Sequence, residues 1–442
     1  MATPIGIALL GVGTVGAAVA RRLLAGGEPL ARRVGRPLLL RHVLVRDPAR
    51  RRSFQIPSSI LRTDVGVILN DDETSIVVEL IGGVDDARRL TFDAVRAGKD
   101  VVTANKALLA VHGREIFAAA RSAGRCVTFE GAVAGGIPLI EAIRRGLAAN
   151  RIDAVYGILN GTCNYILTRM IDNGASYAHA LGEAQRLGYA EADPTTDVSG
   201  LDAAHKLAIL ASLAMGRCCD LDRIAVKGIS DIDLIDLTAA AELGLVCKLL
   251  AIARRHGGDI SLAVEPRFIP RSHPLAAVSG PFNAVSVYGD LIGHCLFYGP
   301  GAGGDATASA VLADILDVAS GNAAKTFAAE GVLWDQTPAA TYAPAGEDAS
   351  PHYIRVGLVD RPGGIAQIAT ILGNAGISIA SIIQHESPYQ QASDPVPVVV
   401  TTHPARQRDV RAAVTRFGEL KEVLGAPVCI PVLEKLGPGG GK

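Results

Sequence analysis

Residues 5–10, IGIALL, form an apolar run too short for a helix that hides one face, and they read as a strand buried on both sides. The run feeds into Gly11-Val12-Gly13-Thr14-Val15-Gly16, and a helical stretch follows as far as Gly26-Gly27. Further apolar segments suited to strands occur at 38–45, 75–80, 100–103 and 125–129. After the last come a glycine-rich turn at 131–136 and Pro138, which can open a helix at its first turn. Strands alternating with helices predict a doubly wound parallel sheet, with ligands outside the carboxyl ends of its strands.

The pattern changes near residue 151. A strand at 152–159 precedes the polar turn Asn160-Gly161-Thr162-Cys163-Asn164 and another apolar helix, and an acidic segment follows at 184–206. A glycine-rich stretch at 298–304 leads to a helix at 306–319, and the residues alone leave open whether it returns the chain to the first domain or is a linker. The polar residues 341–350 read as a linker. Beyond them a strand at 352–359, the turn Asp360-Arg361-Pro362-Gly363-Gly364, a helix at 365–372 and Asn374-Ala375-Gly376-Ile377-Ser378-Ile379 lead into another strand. We therefore expect an α/β chain: a Rossmann-type doubly wound sheet over 1–150, a second domain over 151–300 and a third, strand-helix-strand module over 351–435. Residues 436–442 are expected to be a disordered tail.

Composition narrows the setting. A chain of 442 residues can bury a core in each domain, and a formal net charge of −1 gives no reason to expect nucleic acid, despite the local run Arg50-Arg51-Arg52. Seven cysteines, odd in number and without metal-ligand spacing, fit a reducing compartment, with Cys218-Cys219 structural. No signal peptide and no apolar run of membrane-spanning length is visible, so a cytoplasmic protein without a membrane partner is expected.

The glycine cluster carries the first chemistry. In a dinucleotide site Gly11 would make the tight turn, Gly13 would let backbone reach a pyrophosphate, Gly16 would let helix pack on strand, and Thr14 and Val15 would open the phosphate-binding helix. The second strand ends at Leu44-Val45-Arg46-Asp47 without an acid at its last residue, so Arg46 can pair with a 2′-phosphate and NADP is expected over NAD, with NAD still used. Lys106 follows the strand end at Thr103, where cofactor or substrate would lie. In the acidic segment Glu191, Asp193 and Asp197 fall in a loop broken by Pro194. Ser199 reads as a helix N-cap with Asp202 as the capping-box acid, and Asp202 shares a helix face with Lys206. The plain reading is a solvated surface pair; the sharper one is a substrate held among acids, with Lys206 transferring a proton at a carbonyl oxygen.

Taken together, Ala184…Gly188-Tyr189-Ala190…Asp193-Pro194…Asp197-Val198…Gly200…Asp202…Lys206 resembles the signature of homoserine dehydrogenase. The resemblance extends through Asn105-Lys106, Glu130 to Ile137, Asn160-Gly161-Thr162, His273-Pro274-Leu275 and Gly299-Pro300-Gly301-Ala302-Gly303. It implies reversible NAD(P)H-dependent reduction of L-aspartate 4-semialdehyde to L-homoserine, on the route to threonine, methionine and isoleucine. By position, it implies that Lys206 is the proton donor, that Asp202, Glu191, Asp197 and Thr162 hold substrate, and that Lys106 faces the same cleft. It also implies cofactor contacts at Gly188, Thr103 and Gly303, and a monovalent cation, sodium, held mostly by backbone carbonyls of Glu130, Val133, Gly135 and Ile137.

Two other readings remain open at this point. Cys163 stands where the family often has threonine, which would suit an acylating aldehyde dehydrogenase with a thiolate nucleophile, although the acidic segment supplies no base or acyl acceptor for it. A non-catalytic NAD(P)-sensing regulator would keep the glycines but would not need Glu191, Asp202 and Lys206 together. Residues 352–433 resemble an ACT domain, which implies a βαββαβ fold over 351–435 and an amino-acid effector bound between copies; the homoserine dehydrogenase resemblance likewise implies that about 301–330 completes the Rossmann-type sheet around an α+β domain at 151–300. Threonine, contacted by Asp360 and Asn374 in a homodimer or homotetramer, is the expectation.

Overall fold

The computed structural model describes residues 3–25, 27–50, 54–329, 331, 333–384 and 395–433. It divides into two compact units, Met1–Gly161 with Asp202–Ile224 and Phe282–Ala340, and Thr162–Leu201 with Ala225–Pro281 and Thr341–Lys442. The tail expected at 436–442 lies outside the described residues.

In the first unit β1 (Ile5–Leu10), β2 (Leu38–Leu44), β3 (Leu61–Arg62), β4 (Thr74–Glu79), β5 (Asp100–Thr103) and β6 (Val127–Thr128) form a sheet ordered β3-β2-β1-β4-β5-β6. Every pairing is parallel. β1 is buried along its whole length because it pairs on both edges and is covered on both faces, which is why it reads as an unbroken apolar run. The strand order reverses between β1 and β4, and such a switch point leaves a crevice beyond the carboxyl ends. β6 is shorter than the expected 125–129, since the four-residue β5 offers it only Val101 and Val102 as partners. β3 and the helix Gly27–Val34 were not anticipated; β3 is too short to show a period, and the helix buries none of its residues. The helix opened by Pro138 runs only over Leu139–Glu141 before a wider π-turn at Ala142–Gly146.

The same unit holds an antiparallel ladder of Gly293–Pro300, Phe282–Gly289 and Ile152–Ile158. Helix Gly304–Ala319 packs against helix Thr14–Ala25, so the glycine stretch before it returns the chain to the first sheet and is not a linker. In helix Leu201–Met215 every residue from Asp202 onward except His205 is buried, which marks an interior helix and overturns the solvated-surface reading of Asp202 and Lys206. Ser199 is not the N-cap. Its backbone is helical, at φ −74 and ψ −17, where an N-cap requires an extended residue, and Gly200 at φ 89 makes the break.

In the second unit Leu245–His256 and Asp259–Pro270 form a long antiparallel hairpin. Strands Ile379–Gln384, Val396–Thr402, His352–Leu358 and Val428–Pro431 lie side by side in that order, all antiparallel, under helices Gly364–Asn374 and Gln407–Phe417. The result is a βαββαβ sheet with a core that includes Ile354, Ile368, Leu372, Val400 and Phe417. Residues 341–350 are not a loose linker: the Ile260 N–H donates to Thr341 O at 2.9 Å, the Ala343 N–H donates to Ile260 O at 3.1 Å, and Asp348 meets Arg254 and His256. Buried backbone must find such partners, and the hairpin edge provides them. The βαββαβ sheet is also fastened to the hairpin unit. Asp236, wholly buried, accepts from Tyr353 Oη at 3.0 Å and Arg355 Nε at 2.6 Å, and Phe268 meets the Tyr353 ring at 5.0 Å.

His352 opens the first strand of that sheet and is fully buried. Burial, aided by the Arg267 guanidinium, pushes its imidazole down to about 4 from 6.5. Because the folded-state value is depressed, its contribution to stability is complete above about pH 6.5 and is lost as the pH falls toward 4. The interval is worth about 3 kcal/mol. Denaturant titrations at pH 7 and pH 5 are expected to show a loss in the native protein that His352→Gln largely removes. An equal pH dependence in both proteins would count against this assignment.

Candidate active site

The crevice at the switch point is built by three glycines with different tasks. Gly11 sits at φ 94, and a side chain there would come within 2.8 Å of Leu80 O. At Gly16 a Cβ would lie 2.3 Å from Gly11 O, so only glycine lets the helix settle on the turn. Gly13 has nothing within 4 Å of the Cβ position, which leaves its face open to a ligand. Thr14 starts the helix, whose first-turn N–H groups lack intrahelical acceptors and face a cavity of about 880 Å³. Gly304 packs against Thr14, placing a second helix start, after Gly303 at φ 122, on the same cavity. Arg46, just past β2, also lines it with a side chain 93% exposed, whereas the Asp47 carboxylate accepts from the Ala49 N–H at 2.8 Å.

The charged centre lies on four other segments of this unit. Lys106 is the first residue of helix Lys106–Ser122, capped by Asn105, whose side-chain oxygen accepts from the Leu108 N–H at 3.1 Å. Its Nζ lies 2.5 Å from Asp202 Oδ1. Lys206 Nζ donates to Asp202 Oδ2 at 2.6 Å and to Leu159 O at 2.7 Å, and Asn160 Nδ2 donates to the same carboxylate oxygen at 2.9 Å. Asn283 Nδ2 shares Leu159 O at 3.2 Å. Asp202 is 4% exposed and Lys206 8%. Burial alone would raise the Asp202 carboxyl, but the ammonium groups of Lys206 and Lys106 prevail and hold it well below the usual carboxylate range. Burial also lowers the neighbouring His205 imidazole. One buried carboxylate thus orients two cations, Lys206 buried beside it and Lys106 reaching in from a half-exposed position. The contacts above take two of the three donors of Lys206, leaving one for an incoming oxygen.

Sequence reasoning singled out Lys106, Asp202 and Lys206, and the fold brings them together. It missed Asn160, Leu159 O and Asn283, although Asn160 heads a conspicuous Asn-Gly-Thr turn. Thr103, expected at the cofactor, is buried with its hydroxyl donated to Glu79 at 2.6 Å. In the second unit Thr162 Oγ1 donates to Tyr189 O at 2.6 Å, tying down the loop that begins at Gly188, φ 77. Glu191 is exposed on that loop, and the Asp197 carbonyl accepts from Cys163 Sγ at 3.2 Å. A fully buried thiol given to a carbonyl is not presented as a nucleophile.

Around the expected cation loop, the Glu130 carboxylate accepts from the Ile140 and Glu141 N–H groups at 2.9 and 2.8 Å. Ala134 at φ 55, the one non-glycine residue with positive φ among the described residues, and Gly135 at φ 34 bend the chain back on itself. With that carboxylate engaged, the groups left at Glu130, Val133, Gly135 and Ile137 are backbone carbonyls, of which Ile137 O already accepts from the Leu139 N–H at 2.8 Å. Among the described residues no cluster of three His, Cys, Asp or Glu side chains is placed to hold a metal ion. Asp360 lines a small cavity with Arg361, Gly364 and Gln384, but Asn374 ends the helix whose start faces that cavity, so one copy does not bring the two together.

Comparison with known proteins bears on this geometry. Residues 11–130 match the family model described as homoserine dehydrogenase, NAD binding domain, residues 138–316 match the homoserine dehydrogenase model, and residues 352–422 match the ACT domain. The homoserine dehydrogenase of Pseudomonas aeruginosa is 42% identical over 432 residues, covering 97% of this chain and 99% of its own. The chain belongs to the homoserine dehydrogenase family. Among solved structures it is similar to a homoserine dehydrogenase from Thiobacillus denitrificans, with a TM-score of 0.89, 42% identity and 98% of both chains covered. A hyperthermophilic archaeal homoserine dehydrogenase in complex with NADPH matches at a TM-score of 0.59 and 25% identity, covering 71% of this chain and 97% of that one.

Membership makes this chain an oxidoreductase that interconverts L-aspartate 4-semialdehyde and L-homoserine with a nicotinamide cofactor. The readings as an acylating aldehyde dehydrogenase or a non-catalytic regulator fall. The ACT module implies an amino-acid effector. No described helix is long and apolar enough to cross a membrane.

Proposed function

We propose that Lys206 is the proton donor of the homoserine dehydrogenase reaction, with Asp202 orienting it and Lys106 completing the site. The observation that carries this is the buried Asp202 carboxylate shared by both ammonium groups at 2.5 and 2.6 Å. The nicotinamide cofactor, when bound in the glycine crevice, supplies or accepts hydride. As negative charge grows on the aldehyde oxygen, an ammonium with a spare donor stabilises and then protonates it. Leu159 O and Asp202 keep Lys206 in one direction while this happens. Glu191, Thr162 and Asp197 hold the amino-acid end of the substrate, with Gly188 toward the nicotinamide.

NADP(H) is the preferred cofactor in this reading. The exposed Arg46 at the cavity, 3.9 Å from Asp86, can swing onto a 2′-phosphate, while the Asp47 carboxylate is held in its own turn by the Ala49 N–H. Similarity to a relative solved with NADPH agrees. Thr103 contributes to this site by backbone, and Gly303 by the helix start it precedes. Sodium would sit among the carbonyls of Glu130, Val133, Gly135 and Ile137, a role that needs no side chain.

The seven cysteines, free wherever described, support a cytoplasmic location. A homodimer or homotetramer is favoured by the exposed apolar residues Leu291, Ile292, Leu296 and Tyr298 on and beside the edge strand Gly293–Pro300. Threonine is the proposed effector. Asp360 and Asn374 flank an 11-residue helix about 16 Å long, so both can touch one threonine only from different copies.

One assay tests the whole reading: homoserine-dependent formation of reduced nicotinamide, followed by absorbance with NADP, with NAD, and with threonine added. Faster turnover per unit KM with NADP is expected, an advantage that Arg46→Ala reduces by about tenfold. Absence of homoserine oxidation would remove the activity. Equal use of both cofactors, unchanged by Arg46→Ala, would remove the preference alone.

A further inference from the structure

Glu79, the last residue of β4, is fully buried at the carboxyl edge of the sheet. A carboxyl group there is costly unless its lone pairs are satisfied. Oε1 accepts from the Ile81 N–H at 3.0 Å, and Oε2 accepts from the Thr103 hydroxyl at 2.6 Å. Thr103 Oγ1 in turn accepts from the Asn105 N–H at 3.0 Å. Asn105 then faces two ways: Oδ1 caps the Lys106 helix through the Leu108 N–H at 3.1 Å, and Nδ2 donates to Gly83 O at 2.7 Å. Lys106 is the next residue, with its Nζ 2.5 Å from Asp202.

The relay has a direction. Thr103 has a single hydroxyl proton, and giving it to Glu79 aims a lone pair at the Asn105 N–H. The ends of β4 and β5 and the start of the Lys106 helix are thereby locked to one carboxyl group. Burial raises that carboxyl, and the donors from Thr103 and Ile81 oppose the rise. A tie meant only to hold two parallel strands would not need to end on the N-cap of a catalytic helix.

We propose that Glu79 is a positioning residue for the chemical step, setting through Thr103 and Asn105 the direction from which Lys106 meets Asp202. The proposal rests on the reading of Lys106 as part of the active site. Glu79→Gln keeps the shape but sets its NH2 either against the Thr103 hydroxyl, which reverses the relay, or against the Ile81 N–H, which opposes two donors at the end of β4; either way the junction with β5 is no longer held as one unit. Misplacement of a reacting group by about 1 Å costs up to about hundredfold in rate, and a loss of tenfold to about hundredfold in kcat is expected. Cofactor affinity, read by fluorescence titration of reduced nicotinamide, is expected to change by much less than kcat, because Gly11, Gly13, Gly16 and Arg46 are untouched and only Ile81, held by Glu79, lines the same cavity.

The deciding experiment is a double-mutant cycle with Lys106→Ala. If Glu79 acts through Lys106, Glu79→Gln changes kcat by less than about twofold in the Lys106→Ala background. The same loss in both backgrounds, or normal kcat for Glu79→Gln alone, overturns the proposal. Should Glu79→Gln prove unfolded in thermal melts, Thr103→Val cuts the same relay and enters the same cycle with the same expected outcomes. Lys106→Ala alone with wild-type turnover is a distinguishable failure, since it removes the Lys106 role on which the inference stands.

Discussion

Lys206→Ala is expected to lower turnover by about 10²–10⁴-fold, the usual share of a general acid, while leaving nicotinamide affinity nearly unchanged. The substitution removes the donor aimed at the substrate oxygen and leaves the glycine crevice untouched. It also removes one of the two donors on Leu159 O and one on Asp202 Oδ2, leaving them to Asn283 and Asn160. Some loss of stability should therefore accompany the kinetic defect, and the two must be read separately, by thermal melt and by single-turnover measurement. Lys206→Arg should not restore the rate, because a planar guanidinium is not a proton donor at neutral pH. Near-normal turnover in Lys206→Ala would falsify the assignment.

Asp202→Asn is expected to damage both folding and catalysis. The carboxylate is the counter-ion of two lysines, one of them almost wholly buried, so an amide leaves an uncompensated ammonium among apolar neighbours. Losing one partner of a buried ion pair costs about 3–5 kcal/mol, and the lower end is expected here because Lys106 can turn toward water. This is several times the cost of a lost helix cap. Since the folded-state carboxyl is depressed, its stabilisation is complete above the unfolded value of 3.8 and fades only in strong acid. Denaturant titration together with turnover checks the prediction; a variant that unfolds like the parent and reacts at the parent rate would refute the counter-ion role.

The two variants differ in what they report. Lys206→Ala isolates the proton, whereas Asp202→Asn disturbs the orientation of both lysines. A larger kinetic loss for Asp202→Asn than for Lys206→Ala would assign weight to Lys106, and Glu79→Gln then tests how that weight is delivered.

Much of this protein is legible along the chain because the signals are local. The unbroken apolar run of β1, its three glycines and the helix after them state a parallel strand and a nucleotide turn within about twenty residues. The four-residue spacing of Asp202 and Lys206 put them on one helix face, and the Asp-Arg-Pro-Gly turn marked the ACT module. Burial was not legible. Ser199, three positions before Asp202, looked like a cap and the lysine like a surface partner, since periodicity reports a face but not what covers it. The contact of Lys106 with Asp202, the relay from Glu79, and the fastening of 341–350 to the hairpin each join segments distant in sequence. Strand order decides such meetings: β4 and β5 lie side by side at one edge of the crevice, and that adjacency puts Glu79 beside Thr103. A carboxylate can then be buried because tertiary neighbours provide the donors that water would otherwise supply, a condition that no spacing within one segment encodes.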